Sequence, residues 1–284
     1  MSAGVRRTRV LVAGHVTLDR YAGEVAPGGS AYYAGRAYAA LGAEVRVATA
    51  AAPDFPRAAL TGLDADVAPS ARTSTWTNDY APGGARTQRV EAVAGPLDPG
   101  RVPAAWGAPD LLHLAPVLQE VDLRRWVDAI RARLVGIGVQ GWVRSRAPDG
   151  GVRQPRWDLE PAALAGVGAA VVGEDDLRGQ GDLLARLAAG VPVVAFTQGE
   201  RGCELILRGR TVRVGAYRTS EVDPTGAGDV FAAGLFLGLA RGADPIDAAR
   251  LGAGAASIVV EGRAGETLHR VGDAVRRAAT VPVG

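Results

Sequence analysis

Residues 221–242 read EVDPTGAGDVFAAGLFLGLARG, in which a turn of small residues leads an aspartate into the start of an apolar helix. Gly226, Ala227 and Gly228 leave the backbone bare, so successive N–H groups can point at an anion, and the helix dipole reinforces them. Asp229 would then lie beside the anion. A carboxylate beside a phosphate is useful when it accepts the proton of the group that attacks phosphorus, as in phosphoryl transfer.

The same stretch has a plainer interpretation, in which Asp229 only caps a glycine-rich helix entry. Asp223 and Thr225 precede the turn, and a long apolar helix follows it. Together these features favour a kinase site over a simple cap.

The composition excludes several enzyme classes. The chain has 284 residues, of which 48% are hydrophobic, so it can bury a large core, and its net charge of +2 does not indicate nucleic-acid binding. All 32 basic residues are arginine. The absence of lysine excludes Walker A loops, protein-kinase sites and Schiff-base enzymes. Phosphate charge must therefore be met by backbone amides, Mg²⁺ and arginine.

Cysteine and histidine usage argues against disulfides and zinc. Cys203 is the single cysteine, and the three histidines are far apart in sequence. No export signal is evident, and the longest apolar run, residues 230–240, is about half the length of a membrane span. We therefore expect a cytoplasmic protein that binds neither membrane nor nucleic acid.

Alternating apolar segments predict a single α/β domain over residues 1–284 with a mostly parallel central sheet. Strands are expected at 9–14, 44–50, 110–116, 133–139, 169–173 and 191–197. Helices are expected at 30–42, 121–134, 226–241, 245–260 and 267–278. Residues 73–93 instead alternate around a Pro-Gly-Gly turn, which predicts an inserted antiparallel hairpin, either a lid or a solvent-side decoration.

Several motifs resemble those of the ribokinase-like carbohydrate kinases, also called the phosphofructokinase-B type. VDPTGAGDVFAAG at 222–234 resembles the C-terminal signature of that family, and APGGSAYYAG at 26–35 resembles its Gly-Gly motif. VTLD, ending at Asp19, and FTQGERGC at 196–203 resemble two further family segments. The resemblance runs from about residue 8 to residue 278. It implies a three-layer α/β/α fold with a small β lid, and ATP and Mg²⁺ as cofactors.

The resemblance also implies roles for individual residues. Asp229 would be the general base, and the amides of Gly226, Ala227 and Gly228 would form the anion hole. The residues lining the nucleotide would be Thr197, Gly199, Gly202 and, near the phosphates, Thr225. Asp19 with Gly28 and Gly29 would hold the acceptor, although Asp19 alone could equally cap a turn.

Three departures from the family pattern bear on this expectation. Tyr33 stands where the family usually has asparagine, so Tyr33 would be one of the acceptor-binding residues and the acceptor would differ from the usual furanose. The Asn-x-x-Glu motif that organises Mg²⁺ through water is Gly-Glu-Asp-Asp at 173–176, so Asp176 would replace the glutamate. The segment between Asp19 and Gly28 is short, so we expect no lid strands there and a site covered by the 73–93 hairpin alone.

With these departures the chain is similar to the inositol kinase-like branch of the family, whose members phosphorylate a cyclitol. Asn78, Gln88 and Arg144 would join Asp19 in a polar ring around such an acceptor, although each could instead be a surface residue. Trp76, Tyr80 and Trp142 are as compatible with packing as with a sugar platform. His113 fits a hydrogen-bonded core histidine.

Several alternatives stay open at this stage. A nucleoside kinase would share the same motifs, and a non-catalytic nucleotide or metabolite sensor could keep the same fold. Asp223 is a hypothesis for a monovalent-cation site that K⁺ would fill. A homodimer is modestly favoured because lid strands expose edges.

Overall fold

The computed structural model describes residues 6–21, 23–80 and 86–284. The strands are β1 (Arg9–Ala13), β2 (Thr17–Tyr21), β3 (Glu24–Gly28), β4 (Glu44–Ala51), β5 (Asp64–Pro69), β6 (Ser74–Tyr80), β7 (Arg86–Ala92), β8 (Leu111–Leu114), β9 (Leu134–Gly138), β10 (Ser145–Arg146), β11 (Val152–Arg153), β12 (Ala169–Gly173), β13 (Val193–Thr197), β14 (Cys203–Leu207) and β15 (Arg210–Val214). The helices are α1 (Ser30–Ala40), α2 (Leu123–Ala129), α3 (Leu183–Gly190), α4 (Ala227–Ala240), α5 (Pro245–Val259) and α6 (Ala274–Ala278).

A nine-stranded sheet with the order β15-β14-β13-β12-β9-β8-β1-β4-β5 forms the centre of the molecule. The pairs from β13 to β5 are parallel, and β14 and β15 extend the sheet as an antiparallel edge. The predicted α/β fold with a mostly parallel sheet is therefore confirmed.

Helices cover both faces of this sheet, because the side chains of each strand alternate between two apolar clusters. In β1, Val10 and Val12 belong to the cluster that includes α1, α4 and α5. Leu11 and Ala13 of the same strand belong to the cluster that includes α2 and α3. The result is a three-layer α/β/α architecture.

A second, four-stranded sheet with the order β3-β2-β6-β7 lies beside the first. The hairpin predicted at 73–93 supplies β6 and β7, and its turn, residues 81–85, lies outside the described residues. The expectation that no strands form between Asp19 and Gly28 is wrong. Tyr21 pairs with Glu24, so two linking residues are enough for β2 and β3 to form a tight hairpin. β2 then pairs in parallel with β6, so, contrary to the expectation, the hairpin formed by β6 and β7 is not the only covering element.

Two helices differ from the sequence prediction. The helix expected at 121–134 ends at Ala129, and Ile130 is extended with φ −112° and ψ 104°. The chain must extend there because Leu134 pairs with Leu111 in the central sheet. The helix expected at 267–278 begins as a 3₁₀ segment, Leu268–Asp273, before α6.

In the described part of the chain, no helix combines the length and apolar character that a membrane crossing requires. The carboxyl ends of β9, β12 and β13 meet at one edge of the central sheet, facing the starts of α1 and α4. This is the edge where open α/β sheets bind their ligands.

Candidate active site

A cavity of about 560 Å³ opens at that edge, between the two sheets. It gathers most of the residues that the sequence singled out, namely Asp19, Gly29, Tyr33, Gln88, Arg144, Asp176, Thr197, Gly199, Thr225, Gly226, Gly228 and Asp229. Gly28 and Asp223 lie outside its lining, and Ala227 and Gly202 line a neighbouring cavity.

Two further predicted residues, Asn78 and Tyr80, lie on β6. Asn78 is opposite Gln88 in the hairpin, which places its backbone beside the cavity wall. The side chains of Asn78 and Tyr80 are outside the described residues, so their predicted roles stay predictions.

The start of α4 presents its backbone to this cavity. Gly226 has φ +81°, a left-handed conformation that glycine adopts without strain. A Cβ atom there would also lie 2.3 Å from the ring of Tyr33. The amide of Ala227 donates to the Pro224 carbonyl at 3.1 Å, so the amides of Gly226 and Gly228 are better suited to receive an anion.

Asp229 follows in the first turn of the same helix and is enclosed by polar groups. Burial raises the pKa of its carboxyl to about 6, against the effects of a hydrogen bond from the Ser30 hydroxyl and of the nearby Arg144 guanidinium. The carboxylates of Asp176 and Asp19 add to the increase. A carboxyl with a pKa near 6 is ionised at neutral pH, yet more basic than an ordinary aspartate.

Arg144 brings positive charge to the middle of the cavity. It follows the 3₁₀ segment Val139–Val143, and its Nη2 lies 3.8 Å from Asp176 Oδ1. The side-chain oxygen of Gln140, turned toward the guanidinium, accepts from the same nitrogen at 2.9 Å. A planar guanidinium held in this way can meet both carboxylate and phosphate oxygens.

Asp19 lies on β2, buried, and its carboxylate is oriented by neighbours in the small sheet. Thr17 Oγ1 donates to Asp19 Oδ1 at 2.7 Å, and the Tyr21 hydroxyl is 3.5 Å from Oδ2. A Cβ atom on Gly28 would lie 2.3 Å from Asp19 Oδ2. Gly28 therefore supports the site by leaving room for this carboxylate.

Asp176 occupies the altered metal motif after β12. Its Oδ2 accepts from the Gly173 amide at 2.9 Å, and Arg144 faces its other oxygen. Burial raises the pKa of this carboxyl, while Arg144 and the Gly173 amide oppose the increase. Across the described ranges, no three acidic, histidine or cysteine side chains gather into a set that could hold a metal. One carboxylate nevertheless fits Mg²⁺, which usually keeps several waters and is bound mainly through phosphates.

A second cavity of about 610 Å³ adjoins the first and shares Thr197, Gly199, Pro224 and Gly228 with it. Its remaining wall is apolar at Ala216, Tyr217, Phe231, Ala253, Ala256 and Val260, and polar at Glu200, Arg218, Thr219, Glu221 and Ser257. A ligand that joins a flat, mostly apolar ring to a polar chain would fit this pair of connected cavities, with the ring in the second cavity and the chain reaching into the first.

Asp223 fastens the turn that precedes α4. Its Oδ1 accepts from the Thr225 amide at 3.0 Å and its Oδ2 from the Ala264 amide at 3.3 Å. The contact with Thr225 closes the turn itself, and the contact with Ala264 joins the turn to the loop after α5. The K⁺ hypothesis for this carboxylate stays a prediction.

The remaining aromatic and histidine predictions divide between packing and the cavity wall. The ring of His113 is buried, lies 3.1 Å from the Tyr38 hydroxyl, and has its pKa lowered by burial to about 3. Trp142 stacks on Trp157 with ring centroids 5.2 Å apart, which is a packing role. Trp76 is buried but reaches the cavity.

The sequence prediction did not include Ser30, whose hydroxyl binds Asp229, or Gln140, which holds Arg144. Ser30 directly follows the Gly-Gly motif, which is the one local signal that could have identified it. No sequence pattern indicates that Gln140 contacts Arg144.

The chain is similar to known kinases in part of its sequence and in its fold. Residues 168–268 match the pfkB family of carbohydrate kinases, which confirms the predicted resemblance over the signature region. A solved structure of a pyrophosphate-dependent kinase in the ribokinase family superposes with a TM-score of 0.79 at 18% identity, covering 93% of this chain and 99% of that one. The chain therefore has the ribokinase-like fold.

Two curated proteins share shorter segments with the chain. An inositol 3-kinase of Arabidopsis thaliana is 44% identical over 68 residues, which is 24% of this chain and 19% of that protein. A nucleoside kinase of Methanothermobacter thermautotrophicus is 36% identical over 89 residues, which is 31% of this chain and 28% of that protein. The chain thus spans less than a third of the length of either relative.

Proposed function

We propose that this protein is an ATP-dependent small-molecule kinase that transfers the γ-phosphoryl group to a hydroxyl of a cyclitol or sugar, with a myo-inositol-like acceptor favoured. The observation that carries the proposal is the position of Asp229. Its carboxylate, with a pKa raised to about 6, lies in one cavity with the amides at the start of α4 and with Asp19. A base, an anion hole and an acceptor-binding carboxylate are the groups that phosphoryl transfer to an alcohol requires.

In the proposed reaction, Asp229 accepts the proton of the acceptor hydroxyl as its oxygen attacks the γ-phosphorus. The bond from that phosphorus to the bridging oxygen breaks, and ADP leaves. The amides of Gly226 and Gly228 and the guanidinium of Arg144 stabilise charge on the transferred group. Mg²⁺, when bound, would neutralise donor phosphates, and Asp176 would bind one of its waters.

The acceptor is inferred from the polar wall opposite α4. Asp19, Gln88 and Arg144 line it from three separate segments, so they can bind hydroxyls around a ring. The matching segment in an inositol 3-kinase supports a cyclitol. The matching nucleoside kinase keeps the ribose hydroxyl of a nucleoside as the alternative acceptor.

The donor is inferred from the second cavity. Its apolar wall suits a nucleotide base, and Thr197 and Gly199 line the passage between the two cavities. Pyrophosphate, the donor of the structural neighbour, has no group to fill this space. The cavity therefore favours ATP over pyrophosphate.

A non-catalytic nucleotide sensor is the alternative from another class. The Asp229 carboxylate repels phosphate, which is a cost without a benefit in a purely binding site, whereas in a kinase the same carboxylate serves as the base. The presence of Asp229 therefore favours an enzyme over a sensor.

The test is ADP release from ATP and Mg²⁺ with a panel of myo-inositol, other cyclitols, ribose, fructose and nucleosides, with pyrophosphate as a second donor. We expect turnover on a cyclitol with ATP, reduced at least 100-fold in Asp229→Asn. ATP binding without turnover on any acceptor would support the sensor instead. Turnover with pyrophosphate alone would contradict the proposed donor.

A further inference from the structure

A short hairpin of the chain lies against the outer edge of the small sheet. β10 pairs with β11, with Arg146 opposite Val152. The hairpin meets β7, the outer strand of the small sheet, where Arg89 forms a β-bridge with Gly151. Edge strands present unpaired backbone groups, and here a neighbouring segment of the same chain supplies partners for them.

Val90 of β7 is bonded to this hairpin through both of its backbone polar groups. Its amide donates to the Gly150 carbonyl at 2.7 Å, and its carbonyl accepts from Arg146 Nε at 2.8 Å. Gly150 has φ +86°, and a Cβ atom there would lie 3.3 Å from the Val90 carbonyl oxygen. The Arg89 guanidinium also donates to the Asp149 carbonyl. The turn of the hairpin therefore fits closely against β7.

The hairpin begins directly after Arg144, and the segment before Arg144 is fixed in the core. Trp142 is buried, and its Nε1 donates to the Val121 carbonyl at 2.8 Å. The Gly141 carbonyl accepts from the Gln119 amide at 3.0 Å. Arg144 therefore lies between a segment anchored to the core and a segment anchored to the small sheet.

The connection between Arg144 and β7 has little slack. Arg144 has an extended backbone with φ −121° and ψ 142°, and only one residue separates it from Arg146. Two residues of extended chain span at most about 7 Å. On β7, Gln88 lines the cavity two residues before Val90. A short, extended link thus joins the guanidinium in the middle of the cavity to the strand that carries Gln88.

We propose that Arg146 is a positioning residue that keeps Arg144 in register with β7, so that acceptor binding and charge stabilisation on the transferred phosphoryl group depend on each other. This inference rests on the proposed function and deepens it, because Gln88 and Arg144 both belong to the proposed acceptor wall. Arg146 is not part of the cavity lining among the described residues, so it acts through Arg144. An acceptor bound to Gln88 holds β7 in one position, and the hairpin then holds Arg144 in the matching one. By reciprocity, an anion bound at Arg144 holds β7.

The kinetic test replaces Arg146 by methionine, which keeps an unbranched side chain and removes the donor to Val90. We expect kcat to fall about 5-fold with KM for ATP unchanged, because misplacing Arg144 weakens an interaction made in the transition state. In an Arg144→Gln background, the same replacement should change kcat less than about 2-fold, since Arg146 acts through Arg144. Arg146→Lys should restore most of the lost kcat, because its ammonium group can donate to the same carbonyl.

A matched control is Arg153→Met, which removes an exposed arginine from the other strand of the same hairpin. This variant should keep the kcat of the wild type. The melting temperature of Arg146→Met should lie within about 2 °C of the wild type, because the side chain is exposed and its loss leaves the core intact.

Hydrogen exchange of β7 gives a readout that does not depend on turnover. The probe is inorganic sulfate, an anion that a guanidinium binds well. Saturating sulfate should slow amide exchange in residues 88–92 of the wild type about 5-fold. Arg146→Met should still bind sulfate by calorimetry, but its β7 amides should exchange at the same rate with and without the anion. Arg144→Gln should likewise show no slowing.

Several outcomes would overturn the inference. One is an unchanged kcat in a folded Arg146→Met. Another is an equal loss of kcat in the wild-type and Arg144→Gln backgrounds, which would mean that Arg146 does not act through Arg144. A third is a β7 that fails to respond to sulfate in the wild type, or that still responds in Arg146→Met. Failure of the kinase proposal itself is distinct, because it would show as absent turnover in the wild type while the exchange experiment still reports on the coupling.

Discussion

The replacement Asp229→Asn should stabilise the protein while it abolishes catalysis. Folding raises the pKa of Asp229 from 3.8 to about 6. At about 1.4 kcal/mol per unit, the ionised carboxylate lowers the free energy of unfolding by about 3 kcal/mol at pH 8. Asparagine keeps the shape without the charge, so the variant should melt about 5 °C higher than the wild type at pH 8.

The pH dependence gives the sign of this effect. The pKa of Asp229 is higher in the folded than in the unfolded chain. Its contribution to stability is therefore fully present below pH 3.8 and is lost as the pH rises through 6. The stability difference between variant and wild type should therefore shrink by about half at pH 5. Thermal unfolding followed by circular dichroism at pH 5 and pH 8 measures both values.

A suitable control is Asp223→Asn, since the two carboxylate oxygens of Asp223 accept hydrogen bonds from two backbone amides and an asparagine side chain has only one acceptor oxygen. This variant should be less stable than the wild type at pH 8. The reasoning fails if Asp229→Asn is no more stable than the wild type at pH 8, or if the difference between them is the same at both pH values.

Three further predictions concern the proposed reaction. The pH profile of kcat/KM should fall on the acid side near pH 6, and Arg144→Gln should move that limb upward, because the guanidinium lowers the pKa of Asp229. Gly226→Ala should lower kcat by 10-fold or more and reduce the melting temperature, because the added Cβ would clash with the Tyr33 ring and because φ is +81° at this position. A melting temperature equal to that of the wild type would contradict this. Ala256→Phe should raise KM for ATP at least several-fold with acceptor KM unchanged, because Ala256 lines the second cavity. The same KM for ATP in variant and wild type would mean that the adenine ring binds elsewhere.

Sequence reasoning succeeded where one local pattern decides the structure. Buried strands such as Ala169–Gly173 are short apolar runs, and the glycines before Asp229 mark the start of a helix. It failed between Asp19 and Gly28, where a short link was taken to exclude strands although two residues are enough to turn a hairpin. The helix at 121–134 was predicted too long because the register of Leu134 against Leu111, a tertiary contact, ends it.

Within the candidate site, the limits have the same cause. The motifs identified Asp19, Asp229 and Thr197 because each lies in a recognisable local segment. The pairing of Ser30 with Asp229, and of Gln140 with Arg144, depends on how distant elements approach each other. The contact between Arg146 and Val90 likewise depends on how a distant hairpin meets the small sheet.

The most direct test of the central claim is phosphorus NMR of the protein incubated at pH 8 with ATP, Mg²⁺ and myo-inositol or another acceptor from the panel, with Asp229→Asn alongside. We expect a new phosphomonoester signal that grows in step with ADP for the wild type and at least 100-fold more slowly for the variant. An equal rate of phosphomonoester formation in the two proteins would contradict the assignment of Asp229 as the base.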